Sequence, residues 1–218
     1  MNNDSLKKIY TEHHRDGGRR GKTLFGDERG SFLRERIGKG KRILDIGCRD
    51  GELTKTYCAG NSVLGVDVDE ESLEKAKSQL NIETKHLNLY EDWGFLENSF
   101  DIVVAGEILE HLYYPEKIIQ KISFILKPEG ALLGSVPNAF SLKNRIRLFF
   151  GKKKATPLHD PTHINHFSRR ELNNLFKKYF NDVGLFPLGR FISLDKIWPG
   201  MFSFMILFEA KNKKIHHE

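Results

Sequence analysis

The run from Arg42 to Asp67 constrains the fold more than any other part of this 218-residue chain. It reads RILDIGCRDGELTKTYCAGNSVLGVD: a short apolar strand, a glycine turn, a helix, and a second strand that ends in an acid. Gly47 and Gly51 bracket the turn, where the backbone must bend sharply and let a ligand approach closely. This order predicts a βαβ unit with a ligand site at the turn.

Two acids of this run are candidate binding groups. Asp45 lies within the apolar strand, where an ionised carboxylate is costly unless a turn backbone or a ligand amine hydrogen-bonds to it. Asp67 ends the second strand 20 residues after Gly47, where such folds place a carboxylate that binds ribose hydroxyls. The unit therefore predicts a nucleoside ligand.

The glycine spacing excludes sites that hold phosphates. Residues 47–51 read GCRDG, which is G-x-x-x-G instead of the G-x-G-x-x-G of dinucleotide sites, and Asp50 would repel a pyrophosphate. Gly51 is followed by Glu52 and Leu53, whereas a P-loop needs Lys and then Ser or Thr. A nucleoside ligand without a phosphate at this turn remains.

Several motifs in the same order resemble the class I S-adenosylmethionine-dependent methyltransferases. DIGCRDG at 45–51 is similar to the first motif of that family, and GVDVD at 65–69 is similar to the second. The resemblance extends over roughly residues 28–210 and is closest to the type 11/23 and MetW-like groups. Its later motifs are FDIVV at 100–104, EILEH at 107–111, LKPEGAL at 126–132 and VPN at 136–138.

The resemblance implies a Rossmann-like α/β fold, with a seven-stranded, mostly parallel sheet, a C-terminal antiparallel hairpin and helices on both faces. The sequence pattern agrees and predicts strands near 42–47, 62–68, 83–88, 100–105, 131–136, 183–188 and 201–210. It predicts helices near 28–37, 52–59, 70–80, 115–126, 141–150 and 169–180. We expect one methyltransferase domain: an N-terminal helical cap (1–40), a cofactor-binding core (41–138), a basic insertion (139–168), and a C-terminal helix and hairpin (169–218).

The composition agrees with an enzyme domain that needs neither disulfide bonds nor structural metal ions for its stability. A chain of 218 residues with 39% hydrophobic residues can bury a full α/β core. Its two cysteines, Cys48 and Cys58, are interpreted as small buried residues and favour a reducing compartment. We see neither a targeting segment nor an apolar stretch long enough to span a bilayer, and expect a cytoplasmic location.

Charge is unevenly placed along the chain. Residues 41–138 carry a net −7, whereas residues 1–40 carry +4 and residues 139–218 carry +9. In the resembled family the two flanks commonly cover the acceptor site, so an anionic acceptor or surface is one interpretation. Ordinary solvated lysines are the other.

The resemblance, together with the strand ends, implies S-adenosylmethionine as the cofactor. The residues expected to bind it are Asp45, Gly47, Cys48, Gly51, Asp67, Val68, Asn88 and Leu89. Asn88 could accept from the adenine amino group or could cap its own turn. Arg49 stands where the family usually has glycine, so the loop either avoids a positive φ there or bears strain. Its side chain could approach the methionyl carboxylate or be solvated.

Glu107, Glu110 and His111 have a spacing that would place them on one face of a helical turn. This E-x-x-E-H run is similar to the metal-binding run of ubiquinone-pathway O-methyltransferases and of small-RNA 3′-terminal 2′-O-methyltransferases. His163 resembles the remaining histidine of the RNA enzymes, so these four residues could hold a divalent metal. Without a metal, His111 is the candidate base, with Glu107, His163 and His166 as further catalytic candidates, and packed histidines are the alternative.

The basic insertion contains a predicted amphipathic helix at 141–150. Leu142, Ile146, Phe149 and Phe150 share one face, and three lysines follow at 152–154. Such a helix could lie on an anionic membrane, bind a polyanion, or cover the acceptor pocket. We favour a lid whose apolar face is buried against that pocket.

Together these features predict a methyltransferase that acts on an oxygen of a hydroxylated small-molecule, lipid-linked or sugar acceptor. A metal-dependent RNA 2′-O-methyltransferase is the second hypothesis. A non-catalytic regulatory protein that binds S-adenosylmethionine is the third. The sequence leaves the acceptor and the oligomeric state open.

Overall fold

The computed structural model of the chain describes residues 23–214, so most of the predicted N-terminal cap lies outside the described residues. Seven strands form one sheet: β1 (Arg42–Ile46), β2 (Ser62–Asp67), β3 (Glu83–His86), β4 (Phe100–Gly106), β5 (Leu126–Pro137), β6 (Phe180–Leu188) and β7 (Met205–Lys213). The α-helices are α1 (Gly26–Ile37), α2 (Glu70–Leu80), α3 (Pro115–Ile125), α4 (Leu142–Phe149), α5 (Arg169–Lys177) and α6 (Ile192–Asp195). Short 3₁₀ turns lie at Thr54–Thr56, Leu109–His111 and Pro157–His159.

The strands lie in the order β3-β2-β1-β4-β5-β7-β6. Pairs among the first five are parallel, and β7 pairs antiparallel with both β5 and β6. The predicted Rossmann-like sheet with a C-terminal antiparallel hairpin is therefore confirmed. The chain runs outward from β1 to β3 and then returns to β4 on the other side of β1, which creates a switch point where open α/β sheets bind ligands.

Apolar residues cover both faces of the sheet. On one face Ile43 of β1 packs in a cluster with Phe32 and Ile37 of α1 and Ala76 of α2. On the other face Leu44 and Ile46 belong to a cluster that includes Ile118 and Ile122 of α3 and Leu172 and Phe176 of α5. Two helix layers therefore hold the sheet, and its polar strand ends are left to form a site.

The predicted helix at 52–59 is wrong. The segment forms a single 3₁₀ turn at Thr54–Thr56. The Thr56 hydroxyl donates to the carbonyl of Leu53 at 2.7 Å, and Tyr57 leaves the helical region with φ −135°. Threonine and tyrosine are poor helix formers, and here their hydroxyls bond elsewhere instead of facing solvent.

Two other boundaries differ from the sequence pattern. Strand β7 begins at Met205 instead of near 201, because residues 201–204 form a loop that hydrogen-bonds to the insertion. Helix α5 ends at Lys177, and β6 begins at Phe180. Across residues 23–214, the helices are all too short or too polar to cross a membrane.

Candidate functional site

A cavity of about 1220 Å³ lies at the carboxyl ends of β1, β2 and β4. It brings together seven of the residues expected to bind the cofactor: Asp45, Gly47, Cys48, Asp67, Val68, Asn88 and Leu89. It also contains four of the catalytic or metal candidates: Glu107, Glu110, His111 and His163. Gly51 and His166 do not line it.

Asp45 is held by two hydroxyls that the sequence did not reveal. Thr54 and Tyr57 both donate to its Oδ2 at 2.6 Å. Burial raises the pKa of Asp45 from 3.8 to about 6, and the two hydroxyl bonds, which lower it, do not outweigh that effect. The protein itself therefore supplies the bonds that this buried acid needs, and neither a turn backbone nor a ligand is required for them.

Asp67 is buried at the cavity and orders the turn beside it. Its Oδ2 accepts from the backbone N–H of Arg49, and its Oδ1 accepts from that of Asp69, each at 3.0 Å. A carboxylate has about four lone-pair sites and can accept several hydrogen bonds at once. The position and the geometry suit a carboxylate that receives ribose hydroxyls.

The glycine turn is strained where the sequence lacks a glycine. Gly47 has φ +71°, and Arg49 has φ +54°, a left-handed conformation that is costly for a residue with a side chain. The Arg49 Nε lies 3.3 Å from Asp50 Oδ1. Of the two expected outcomes, the loop bears the strain instead of avoiding it, and the arginine side chain has an acidic neighbour within the turn.

The backbone and the packing at residue 51 require a glycine. Its φ is +80°, and a Cβ there would lie 2.6 Å from Cδ1 of Leu80 and 3.3 Å from Cβ of Ala76. The residue lets the turn pack against helix α2. Its role in cofactor binding stays a prediction.

Asn88 caps its own turn, and its role in adenine binding stays a prediction. Its Oδ1 accepts from the backbone N–H of Tyr90 at 3.0 Å, which confirms the turn interpretation. The residue also lines the cavity. A carbonyl oxygen has two lone pairs, so an adenine amino group could still donate to it.

The sequence predicted that the three E-x-x-E-H residues share one face of a helical turn, and this prediction is wrong. Glu107 has φ +60°, and the 3₁₀ turn begins two residues later, at Leu109. Glu107 Oε2 lies 3.0 Å from Nη1 of Arg29, whose side chain is 3% exposed. Sequence reasoning missed Arg29, because nothing local marks a residue of α1 as the partner of an acid 78 residues later.

Glu110 is a buried acid at the cavity wall. Within residues 23–214, neither of its carboxylate oxygens has a hydrogen-bond partner. Burial, and then the nearby charge of Glu107, raise the pKa of Glu110 well above its usual range. This carboxyl group is therefore available to a ligand.

Two histidines lie against Glu110. The Nδ1 of His111 is 2.9 Å from the carbonyl oxygen of Thr162, and the Nδ1 of His163 is 3.1 Å from that of Pro157. The two rings have an edge-to-face arrangement with centroids 4.8 Å apart. The loop that carries His163 is fixed to the same turn, because the backbone N–H groups of residues 164 and 165 both donate to the Glu110 carbonyl at 2.9 Å.

Three of the four predicted metal ligands come together. Glu110, His111 and His163 each offer a ligand atom, and these atoms lie within 4.8 Å of one another. A carboxylate with two imidazoles is a donor set that suits a borderline divalent ion. Glu107 is not part of this group, because Arg29 pairs with it.

His166 lies away from the cavity and lines a second pocket with Tyr113 and Tyr114. Two residues later the chain starts α5, where Ser168 and Glu171 form the capping box that the sequence indicates. Because α5 starts so soon after His166, this residue lies beyond the cavity. Burial lowers the pKa of His166, and the structure does not bring this residue together with the other catalytic candidates.

Helix α4 is not the lid that was predicted. Its apolar residues face outward, with Ile146 50% and Phe149 85% exposed. Its polar residues Lys143 and Asn144 line the cavity instead. The cause is polar anchoring, since the Asn144 amide donates to the carbonyl of Asn138 at 2.9 Å and holds that side of the helix inward.

The charge of the cavity suits the expected cofactor. Six carboxyl groups line it, against three Lys or Arg side chains. S-adenosylmethionine carries a sulfonium and an ammonium, which an acidic cleft attracts. The acids are Asp45, Asp50, Glu52, Asp67, Glu107 and Glu110, and the bases are Arg29, Arg49 and Lys143.

Comparison with known sequences points to the same chemistry. The model of a family described as a methyltransferase domain matches residues 18–179. Ubiquinone biosynthesis O-methyltransferase of Actinobacillus pleuropneumoniae is 36% identical over 112 residues, which are 45% of this chain and 47% of that protein. The enzyme of the same name from Coxiella burnetii is 33% identical over 105 residues, 46% of this chain and 45% of that protein. The chain thus spans less than half the length of these relatives.

Solved structures share the fold at lower identity. A SAM-dependent methyltransferase from Archaeoglobus fulgidus has a TM-score of 0.66 and 20% identity, over 87% of this chain and 94% of that one. A possible histamine N-methyltransferase from Thermotoga maritima has a TM-score of 0.65 and 16% identity, over 97% and 98%. Since the family model covers residues 18–179, which are most of the chain, this protein belongs to the methyltransferase-domain family.

Proposed function

We propose that this protein is an S-adenosylmethionine-dependent methyltransferase. It transfers the sulfonium methyl group of this cofactor to a hydroxyl oxygen of a small, lipid-linked or sugar acceptor. The observation that carries the proposal is the hydrogen bond between Nδ1 of His111 and the Thr162 carbonyl. A carbonyl oxygen can only accept, so Nδ1 holds the proton, and the lone pair of the neutral ring is on Nε2. His111 thus offers a fixed basic nitrogen in the cavity.

A base of this kind matches the chemistry of O-methylation. The sulfonium methyl of S-adenosylmethionine is already activated, so the enzyme must mainly align the acceptor oxygen with it and remove the hydroxyl proton. Asp67 would hold the ribose at one end of the cavity, and His111 would take the proton at the other. The cavity of about 1220 Å³ exceeds the roughly 300–1,000 Å³ typical of a single ligand site and has room for donor and acceptor together.

The names of the relatives support transfer to oxygen. Both bacterial relatives are called ubiquinone biosynthesis O-methyltransferases. The match covers less than half of each relative, so it supports the reaction type more strongly than any particular acceptor. We infer a hydroxylated acceptor and leave its skeleton to experiment.

Metal-assisted O-methylation, which includes the RNA 2′-O-methyltransferase hypothesis, is the second candidate. Glu110, His111 and His163 would hold the ion, and the buried oxygens of Glu110, which lack partners within the described part of the chain, fit that role. A divalent ion bound there would lower the pKa of an acceptor hydroxyl. Glu107 would stay with Arg29 and order the wall beside the site.

The test is methyl transfer from radiolabelled S-adenosylmethionine to four probes: a catechol, a long-chain hydroxylated lipid, a methyl glycoside and a short RNA. We expect His111→Asn to lower the turnover of the accepted probe by about 10²–10⁴-fold, because it removes the base. Its affinity for S-adenosylmethionine should stay unchanged. His166→Asn is the matched control and should keep its activity, because this histidine lines a different pocket.

Three results would change the assignment. A His111→Asn enzyme with full turnover would contradict the role of the base. Activity that a chelator abolishes, and that Glu110→Gln also removes, would establish the metal-assisted mechanism. Transfer to RNA alone, falling steeply with salt, would select the RNA hypothesis over the proposed acceptors.

A further inference from the structure

Helix α4 has an exposed apolar side whose large side chains do not line the cavity described above. Phe149 is 85% exposed and Phe150 67%, and in a second segment Ile197 is 72% and Trp198 65% exposed. We call residues 142–154 and 190–198 together the basic apolar surface. Single exposed apolar residues are normal, but a cluster of large ones marks an interaction site.

The two segments of this surface are tied together by polar contacts. The backbone N–H of Leu142 donates to the carbonyl of Met201 at 2.8 Å. The side-chain amide of the buried Asn138 donates to the carbonyl of Gly200, also at 2.8 Å. Asp195 is buried, and its Oδ1 accepts from the N–H of Gly200 at 3.0 Å. Residues 200 and 201 therefore connect the two segments.

The surface is also strongly basic. Residues 142–154 contain six Lys or Arg and no acid, namely Lys143, Arg145, Arg147, Lys152, Lys153 and Lys154. Arg190 and Lys196 add two more exposed cations in the second segment, where the acid is the buried Asp195. The Arg147 guanidinium donates to the carbonyl of Lys154 at 3.0 Å and folds the three lysines back against the helix.

Exposed phenylalanines and a tryptophan among lysines and arginines fit one kind of occupant best. Amphipathic segments at a membrane insert the apolar side chains below the headgroups, while the cations contact anionic lipids. A single-stranded nucleic acid could stack its bases on the aromatic rings, but it would leave the exposed Ile146 and Ile197 in water. A second copy of this chain would bring the same positive surface against itself.

The same helix forms part of the wall of the cavity. Lys143 and Asn144 of α4 line it together with Phe204, and the Lys143 Nζ lies 5.4 Å from the Phe204 ring centroid. We propose that the basic apolar surface docks the enzyme on an anionic phospholipid bilayer, so that a lipid-phase acceptor enters the cavity beside α4. The origin of the acceptor rests on the proposed function, but the docking itself does not.

Co-sedimentation of the full chain with vesicles tests the docking. We expect binding to phosphatidylcholine vesicles that contain phosphatidylglycerol and little binding to pure phosphatidylcholine. Phe149→Ser combined with Phe150→Ser should weaken this binding about tenfold or more, and Ile197→Ser with Trp198→Ser should do the same. Replacing the three lysines at 152–154 by glutamine should also weaken it.

The matched control is Leu96→Ser, which removes a residue that is 81% exposed and lies outside the surface. It should bind vesicles as the unchanged protein does. Equal vesicle binding by the Phe149/Phe150 double variant would overturn the proposal. Vesicle binding that is lost when the three lysines are replaced, but kept when the aromatic residues are replaced, would also overturn the proposal. That result would assign the surface to a polyanion.

Two further measurements separate the other outcomes. A dimer in sedimentation velocity that the aromatic variants dissolve, with no vesicle binding, would assign the surface to a second copy. Calorimetry with S-adenosylmethionine and turnover of a water-soluble hydroxylated probe should be unchanged in the aromatic variants, because these residues do not line the cavity. Loss of vesicle binding with full turnover of that probe therefore tests docking without testing the proposed reaction.

Discussion

The substitution Asp45→Asn tests directly whether burial controls the pKa of the acid in strand β1. The pKa of Asp45 is raised from 3.8 to about 6, chiefly by burial. The folded state thus binds this proton more tightly than the unfolded state does. The stability that comes from the protonated form is complete below about pH 4 and is lost as the pH rises through about 6.

A rise of about two pKa units corresponds to about 3 kcal/mol. Asparagine does not titrate and can still accept hydrogen bonds from Thr54 and Tyr57 through its amide oxygen. We expect the free energy of unfolding of the unchanged protein, minus that of Asp45→Asn, to fall by about 3 kcal/mol between pH 3 and pH 7. Urea unfolding followed by circular dichroism at several pH values measures this difference.

Asp101→Asn is the control of opposite sign. Burial raises the pKa of Asp101, but the hydrogen bonds from Lys127 and from the Arg42 backbone outweigh it and lower the pKa below its usual value. The corresponding difference for Asp101 should therefore rise as the pH increases through the acid range. A flat or rising difference for Asp45 would refute the conclusion that burial dominates its environment.

Three further perturbations probe the site and the fold. Asp67→Ala should weaken S-adenosylmethionine binding about 10²-fold or more in calorimetry, since two charge-assisted ribose bonds of about 1.5–3 kcal/mol each are lost, and an unchanged Kd would contradict the ribose role. Gly51→Ala should lower the free energy of unfolding by about 1–3 kcal/mol, because its φ of +80° and its contact with Leu80 exclude a side chain, and unaltered urea unfolding would be inconsistent with this. Arg29→Met should lower the melting temperature more than Arg29→Met combined with Glu107→Gln, because the single change leaves a partly buried carboxylate without its ion pair. Equal melting temperatures would show that the pair is not coupled.

Local patterns predicted most of the fold. Helix α2 is found at Glu70–Leu80, as the apolar spacing of Leu73 and Ala76 indicates. Asp69 caps it by accepting from the N–H of Ser72, as expected. Where the pattern failed, at 52–59, the competing bonds came from side chains, and the most important of them reach back to Asp45 in another element.

The candidate site likewise has one part that local sequence predicts and another that depends on distant residues. Asp67 follows from its spacing after a glycine turn, which is local information. The partners that set the chemistry are distant in sequence, since Arg29 meets Glu107, and His111 meets the Thr162 carbonyl. Spacing predicted which residues meet at the strand ends. It could not show that Glu107 would be paired with Arg29 while Glu110 has no hydrogen-bond partner among residues 23–214.

The loop at 160–165 has a consequence for how such an enzyme could change its acceptor. The N–H groups of residues 164 and 165 donate to the Glu110 carbonyl, and the Thr162 carbonyl, 51 residues after His111, sets the tautomer of this proposed base. The residues of β1 and β2 that are expected to bind the methyl donor take no part in these contacts. A transplanted insertion could therefore bring a new acceptor specificity while the methyl donor site stays the same, provided that the graft keeps the backbone geometry at Thr162. Without it, the imidazole would lose its orientation and the chimera would bind its cofactor without turning over.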